Sequence, residues 1–459
     1  MKKVFAFVLA FLFTVMAIPT FALEFDNIVF ADESETPALD VSGYPRFEKL
    51  NDGTLILVNS GTIRFSNDDG ATWTRKAISK NAAKTHTTST GTVHELSCEN
   101  WQGFVLDNGM VMVAYRSRTK GYDKTSGAEF YTSIRVMTST DGGQTFDGEV
   151  VVAEGINDKL RGFWEPYMIQ LDANTVAMYF ADDYSVNSYQ NISYVLYDIA
   201  KGEWDATIHT AINGYDRLSR DGMPAVTKLI DGGYAMVVEA HDYNARMGEG
   251  KNCPFVIGLS LSNDGKTWSE PVPVAAPLNL AAGYRCSAPF ITTLPDGRVI
   301  ISYMSDEYYV GALNTESADR NCVYGAIISN ASLTVDTELV ATEGGAANGF
   351  TRLPDLFDDG ETAYMIWNTV QRVGTNVYFS GSAGQNNGES TQKIRIRRAD
   401  ISALLPDTDI DGDGALTLID ALKCGKAFTS GDIFKYDING DERLTILDVL
   451  LVVRDVLNK

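Results

Sequence analysis

Six times along the chain an apolar run is followed by a turn rich in Asp, Asn or Gly and then by a second apolar run. The pairs lie at Phe47 to Val58, Phe104 to Val113, Met168 to Phe180, Val226 to Glu239, Ile291 to Tyr303 and Leu353 to Trp367. Each reads as a β-hairpin. Their spacing is about 60 residues, longer than the ~40–50 of some propeller repeats yet within reach of a four-stranded unit with long loops. The runs are almost continuously apolar, as strands covered on both faces require, and no helical periodicity competes before residue 400. Six evenly spread hairpins predict an all-β fold, a six-bladed β-propeller over residues 23–400. Ile394-Arg-Ile-Arg-Arg398 is expected as the last strand, closing the ring with N-terminal residues. A short strand is expected around Ile28-Val-Phe30.

A second repeat supports this architecture. Ser66-Asn-Asp-Asp-Gly-Ala-Thr-Trp73 and Ser139-Thr-Asp-Gly-Gly-Gln-Thr-Phe146 share Ser-x-Asp-x-Gly-x-Thr-aromatic, and Ser262-Asn-Asp-Gly-Lys-Thr-Trp268 is the same with one residue deleted. Ser and Asp bond local backbone, Gly permits the turn, and the aromatic is expected to plug between sheets. These segments resemble the Asp-box (BNR) motifs of sialidase-type propellers, which implies a structural role in an outer turn and no catalytic one.

After Asp407 the pattern changes. Asp409, Asp411, Asp413, Thr417 and Asp420 place oxygens at positions one, three, five, nine and twelve of a calcium loop, with Gly414 at the turn position. Asp437, Asn439, Asp441, Thr445 and Asp448 repeat the spacing, but Glu442 replaces the glycine, which predicts weaker binding. Each loop runs into a helical segment, Ile419 to Ala427 and Ile446 to Val456. Paired loops that end in Asp resemble a type I-like dockerin over residues 407–459. That resemblance implies two structural Ca²⁺ ions, binding to a cohesin domain of a cellulosomal scaffoldin, and cohesin contacts through Leu418, Ile419, Ile446 and Leu447.

Composition narrows the rest. Met1-Lys-Lys followed by the apolar Val4 to Phe21 reads as a secretory signal peptide, residues 1–22, with a second cleavage-like sequence at Val29-Phe-Ala31. A secreted, extracellular, cellulosome-associated protein is therefore expected, with no membrane partner. At 459 residues more than one folding unit is expected. The net charge of −22 argues against nucleic acid as a partner. The five scattered cysteines form no metal-ligand spacing and leave room for one or two disulfides.

Two acids stand out against these strands. Glu165 lies between Trp164 and Tyr167, flanked by the aromatic surfaces on which sugars stack, and Pro166 is expected to hold it extended. Glu239 ends an apolar run, where a charge is costly without purpose or partner. Adjacent blades are expected to bring both to the axis, where two carboxylates serve glycoside hydrolysis. Gly162-Phe-Trp-Glu-Pro-Tyr167, and Asp221-Gly-Met-Pro-Ala-Val226 followed by Val237-Val-Glu239, resemble glycoside hydrolase family 93. This implies an exo-arabinanase that releases arabinobiose from the α-1,5-L-arabinan of plant cell walls, with Glu165 as acid/base, Glu239 as nucleophile and no cofactor for catalysis. Arg46, Trp164, Tyr167, Asp221, Arg285 and Arg352 are the candidate substrate contacts. Tyr44-Pro-Arg46-Phe47 is also similar to the Arg-Ile-Pro start of true sialidases, with its order broken, and Arg46, Arg285 and Arg352 would form the arginine cluster of that alternative. Equally, these arginines pair with the catalytic acids. An exo-α-sialidase or another exo-glycosidase of this fold, and a non-catalytic sugar-binding propeller, remain the other readings.

Overall fold

The computed structural model describes residues 23–25, 28–31, 35–121, 128–157, 161–184, 189–230, 232–241, 255–275, 286–305, 322–328, 350–352, 364–384, 393–406, 410, 416–426, 436–440 and 444–457. Their strands form six antiparallel sheets in a propeller-like arrangement. The inner strands are Arg46–Lys49, Val93–Val105, Arg161–Asp172, Gly222–Lys228, Cys286–Thr293 and Tyr364–Val373, of sheets 1 to 6 in that order. Each touches the next, and the sixth touches the first, so the six close a ring. Apolar clusters fill every interface between neighbouring sheets. Tyr115, Tyr179, Phe163 and Phe180 are among the side chains removed from water, each contributing roughly 1.5–3 kcal/mol. Polar clamps add register: Gln102 Oε1 accepts the Met168 N–H at 2.8 Å, and Gln371 brackets Phe47 with bonds to its N–H (2.9 Å) and carbonyl (3.1 Å).

Sheet 6 is completed by the start of the chain. Its strand Lys393–Asp400 pairs with Ile28–Phe30, Leu39 bridges Ile394, and Thr36 Oγ1 bonds the Ile396 carbonyl at 2.7 Å. The first five hairpins form at the residues expected, but the sixth does not. Its turn is at Gly374-Thr375, between Val373 and Asn376, with Gly374 at φ +63°. The expected turn around Asp358 to Gly360 lies outside the described residues.

The three Ser-x-Asp segments join third and fourth strands and fold alike. Ser66 Oγ accepts the Gly70 N–H at 2.8 Å, and Asp68 Oδ1 accepts the Thr72 N–H at 2.8 Å. Ser139 and Asp141 make the same bonds to Gly143 and Thr145, and Ser262 and Asp264 to Gly265 and Thr267. The aromatic that ends each segment reaches the preceding sheet. Trp73 joins Tyr378 and Ile394, Phe146 joins Ile63, and Trp268 stands edge-on to Tyr179 at 5.7 Å.

Among the described residues, helices α1 (Leu418–Lys426) and α2 (Ile446–Leu457) follow the last sheet, packed against each other around Cys424 and Val452. The pair is anchored to sheet 6. Arg372 donates to Asp437 at 3.2 Å, both side chains being almost fully buried, and a Cβ at Gly440 would meet Leu405 and Thr375. Arg372→Met is expected to remove a buried counter-charge, at a cost of roughly 3–5 kcal/mol. In chelator, limited proteolysis between residues 401 and 417 should then accelerate; cleavage at the wild-type rate would show that this pair does not hold the helices. Cys98 and Cys424 are free thiols. No described helix is long and apolar enough to cross a membrane.

Candidate active site

The site is built on a recurrent irregularity of the inner strands. In sheets 2 to 6 two residues of the inner strand oppose one of its partner, a β-bulge, and the first bulged residue is left-handed. These residues are Asn100 (φ +53°), Glu165 (+44°), Met223 (+50°), Ala288 (+48°) and Trp367 (+56°). None is glycine, so each conformation costs on the order of 1–3 kcal/mol and is held by its surroundings. Pro follows the bulged residue in three cases, Pro166, Pro224 and Pro289, where a missing N–H costs no ladder bond. The extended backbone expected for Glu165 is therefore overturned: the bulge overrides the preference that Pro166 imposes.

A bulge frees a backbone N–H, and the preceding sheet supplies the acceptor. Glu165 accepts from the Met223 N–H, and Glu239 Oε2 accepts from the Ala288 N–H at 3.1 Å. Met304 Sδ does the same for Trp367 at 3.1 Å. Glu239 and Met304 thus occupy equivalent places on second strands, whereas Glu165 is itself the bulged residue of its inner strand; both acids are tied to the bulge of the next sheet. Glu239 is 6 % exposed, pairs in register with Gly222, and lies with Oε1 3.7 Å from Arg220 Nη1. Burial, and then the charge of Glu239, push the Glu165 carboxyl up to about 7, against the opposing pull of Arg116, Arg220 and the Met223 N–H. Tyr44, Arg46, Glu165, Met223, Pro224, Pro289, Phe290 and Asn368 line a small pocket at the first of these carboxylates. A larger cleft, about 670 Å³, opens at the outer rim between sheets 2 and 3 along Val151, Trp204 and Asp205, and contains neither acid.

The other candidates fare unequally. Arg46 does line the pocket, its guanidinium 4.8 Å from the ring centres of both Tyr44 and Phe290, and burial lowers its pKa to about 10. Trp164 is half-buried beneath the Arg116 guanidinium, 3.9 Å from its ring centre. The Tyr167 hydroxyl donates to the Val226 carbonyl at 2.8 Å and its ring stands edge-on to Phe290. Asp221 is internal. It is fully buried and accepts from Ser219 Oγ and Arg217 Nη1, both at 2.7 Å, pinning the approach to the sheet 4 inner strand. The backbone of Arg352 lies on the outermost strand of sheet 5, and that of Arg46 on the inner strand of sheet 1. Arg285 lies outside the described residues. Arg116, Arg118, Glu99 and Arg220 were missed. Glu99 sits on the inner strand of sheet 2, Arg116 and Arg118 on its second strand and Arg220 just before the inner strand of sheet 4, so that packing of sheet on sheet gathers them around Glu165 and Glu239.

Among the calcium-loop candidates, Asp409, Asp411, Asp413 and Asp441 lie outside the described residues. Asp420 and Asp448 are fully buried at the starts of α1 and α2, each accepting the N–H three residues back, from Thr417 and Thr445, at 2.7 Å. Asp448 also accepts from Ile438 at 2.9 Å, and Asn439 donates to it at 3.4 Å. Leu418, Ile419, Ile446 and Leu447 are all exposed, together with Leu422 and Leu450 one turn on, as matching patches on the two helices.

No family model and no curated protein matches the sequence. Solved structures do. The α-L-arabinanase of Penicillium chrysogenum complexed with arabinobiose is 18% identical, with 82% of this chain and 98% of that one covered at a TM-score of 0.53. The family 93 α-L-arabinofuranosidase of Fusarium graminearum with arabinobiose is 18% identical over 80% and 96%, also at 0.53. A protein of unknown function from Dyadobacter fermentans is 16% identical over 82% and 97%, at 0.52. At these identities the likeness establishes the mostly-β, propeller-like fold.

Proposed function

We propose that the protein is a retaining glycoside hydrolase whose six sheets are six blades of one propeller, acting from the chain end on α-1,5-L-arabinan and releasing arabinobiose. The observation that carries this reading is the pair of carboxylates at the inner strands, a half-buried Glu165 that keeps its proton up to about pH 7 and a buried Glu239 that faces Arg220 and the Ala288 N–H. Glu165 is the acid/base and Glu239 the nucleophile, because a retaining acid must be protonated for the first step and ionised for the second. Arg46 and Trp164 border the sugar. The arabinobiose bound by the Penicillium and Fusarium proteins supports the substrate.

The C-terminal helices belong to a dockerin in this reading, the protein is exported, and the two exposed helix patches bind a cohesin. The described loop residues suit a hard dication in kind: Asp437 and Asp448 are oxygen donors, both nearly inaccessible, at the two ends of the second loop. Incubation with linear arabinan, sialyl-lactose and other wall glycans, with product analysis, tests the substrate. Arabinobiose as the first-formed product is expected. Sialic acid released with no action on arabinan would replace this reading.

A further inference from the structure

Arg116 stands where sheets 2 and 3 meet, and the two-carboxylate chemistry does not itself call on it. It lies on the second strand of sheet 2, Val111–Thr119, in register with Glu99, and is 3 % exposed. Glu99 pairs with its Nη2 and also with Arg118 at 3.2 Å. The Arg116 guanidinium lies flat enough on Trp164 to sit 3.9 Å from the ring centre, and Arg118 is 5.9 Å from it. Trp164 is bonded in sequence to Glu165. Two buried N–H groups of Arg116, at Nε and Nη1, have no hydrogen-bond partner. A cation with unspent donors is costly to bury, and packing alone would be served better by an apolar side chain of the same volume. We propose that Arg116 is a positioning residue for the reaction, clamping the Trp164 indole and holding a fixed positive charge beside the Glu165 carboxyl.

This rests on the glycoside hydrolase reading above. The groups that face Glu165 come from several elements: Glu239 from the second strand of sheet 4, the Met223 N–H from its first, Arg220 from the segment just before that strand, Arg46 from sheet 1 and Arg116 from sheet 2. Arg220 is engaged with Glu239 and Arg46 is enclosed by two rings, so Arg116 is the cation that approaches Glu165 through its neighbour in the chain. Its two effects separate by substitution, because Lys keeps the charge and lacks the planar stack.

The test compares wild type, Arg116→Met and Arg116→Lys in the pH dependence of kcat/KM on arabinan oligosaccharides, and in carbon-13 NMR titration of Glu165. Arg116 favours the ionised carboxylate, so its loss raises the pH at which Glu165 gives up its proton. In the Met variant the NMR titration and the alkaline limb should both move up by about one pH unit. In the Lys variant the limb should return towards wild type while KM stays several-fold raised, because the indole is no longer clamped. Glu165 titrating at its wild-type pH in the Met variant overturns the proposal, as does a Lys variant with wild-type KM. The Lys variant decides the matter if the Met protein does not fold. Should arabinan prove not to be the substrate, the NMR titration still reports the coupling of Arg116 to Glu165, so the two failures are distinguishable.

Discussion

Glu239→Ala should be inactive on every substrate, with losses on the order of 10⁴–10⁶ in kcat, since no intermediate forms without the nucleophile. Glu165→Ala should behave differently. Losing the proton donor costs on the order of 10²–10⁴ on arabinan, but aryl arabinosides with good leaving groups need little acid help and should retain their first step. The intermediate would then accumulate, and azide should release it as a glycosyl azide of unchanged anomeric configuration. In Glu239→Ala azide should enter the emptied nucleophile position and give the inverted azide. Proton NMR of the first-formed sugar from wild type reports the anomer directly. An inverted wild-type product, or near-normal turnover by Glu239→Ala, would sink the assignment. The wild-type pH dependence follows from the same pair. A Glu165 carboxyl pushed up to about 7 supplies the proton below that pH, so kcat/KM should fall above it.

The two acids were singled out because Glu165 stands between aromatics at a strand entrance and Glu239 ends an apolar run, patterns that local chemistry alone makes conspicuous. Five hairpins were legible for the same reason. The sixth was not: Asn368-Thr-Val-Gln-Arg-Val373 alternates polar and apolar residues, and Gly374-Thr375 is a weaker turn signal than Asp358-Asp-Gly360. The bulges went unseen because left-handed Glu165, Met223, Ala288 and Trp367 contradict local propensity and are imposed by the ring. A signal was present in the Pro that recurs at 166, 224 and 289 near the start of successive inner strands. Tyr167 and Asp221 were singled out through neighbourhood in sequence, which does not show that the Tyr167 hydroxyl reaches the Val226 carbonyl of the next sheet or that Asp221 is fully buried against Ser219 and Arg217. Arg116 and Arg220 had no local signature at all.

Chelation of calcium should strip hydrogen-exchange protection from α1 and α2 and abolish cohesin binding while leaving the propeller sheets protected. Each loop gathers carboxylates that repel until a cation lies between them, and a unit of about 50 residues has little core to spare. A cation present at about 1,000 times its Kd adds about 4 kcal/mol, so protection at the helices should fall by roughly 10³ per site lost. The two loops should not be equal. The first has Gly414 at its turn, whereas the second has Glu442 there, and its leading carboxylate, Asp437, is already engaged by Arg372 of sheet 6. Occupancy of the second loop therefore competes with the anchor to the propeller, and calorimetric titration of the full chain should resolve a tight site and a weaker one. Arg372→Met should narrow that gap, tightening the second site several-fold, while Glu442→Gly should narrow it independently by relieving the turn. Unchanged exchange and unchanged cohesin binding in chelator would remove calcium from the account. Two sites of equal affinity in wild type would show that neither Glu442 nor Arg372 weakens the second loop.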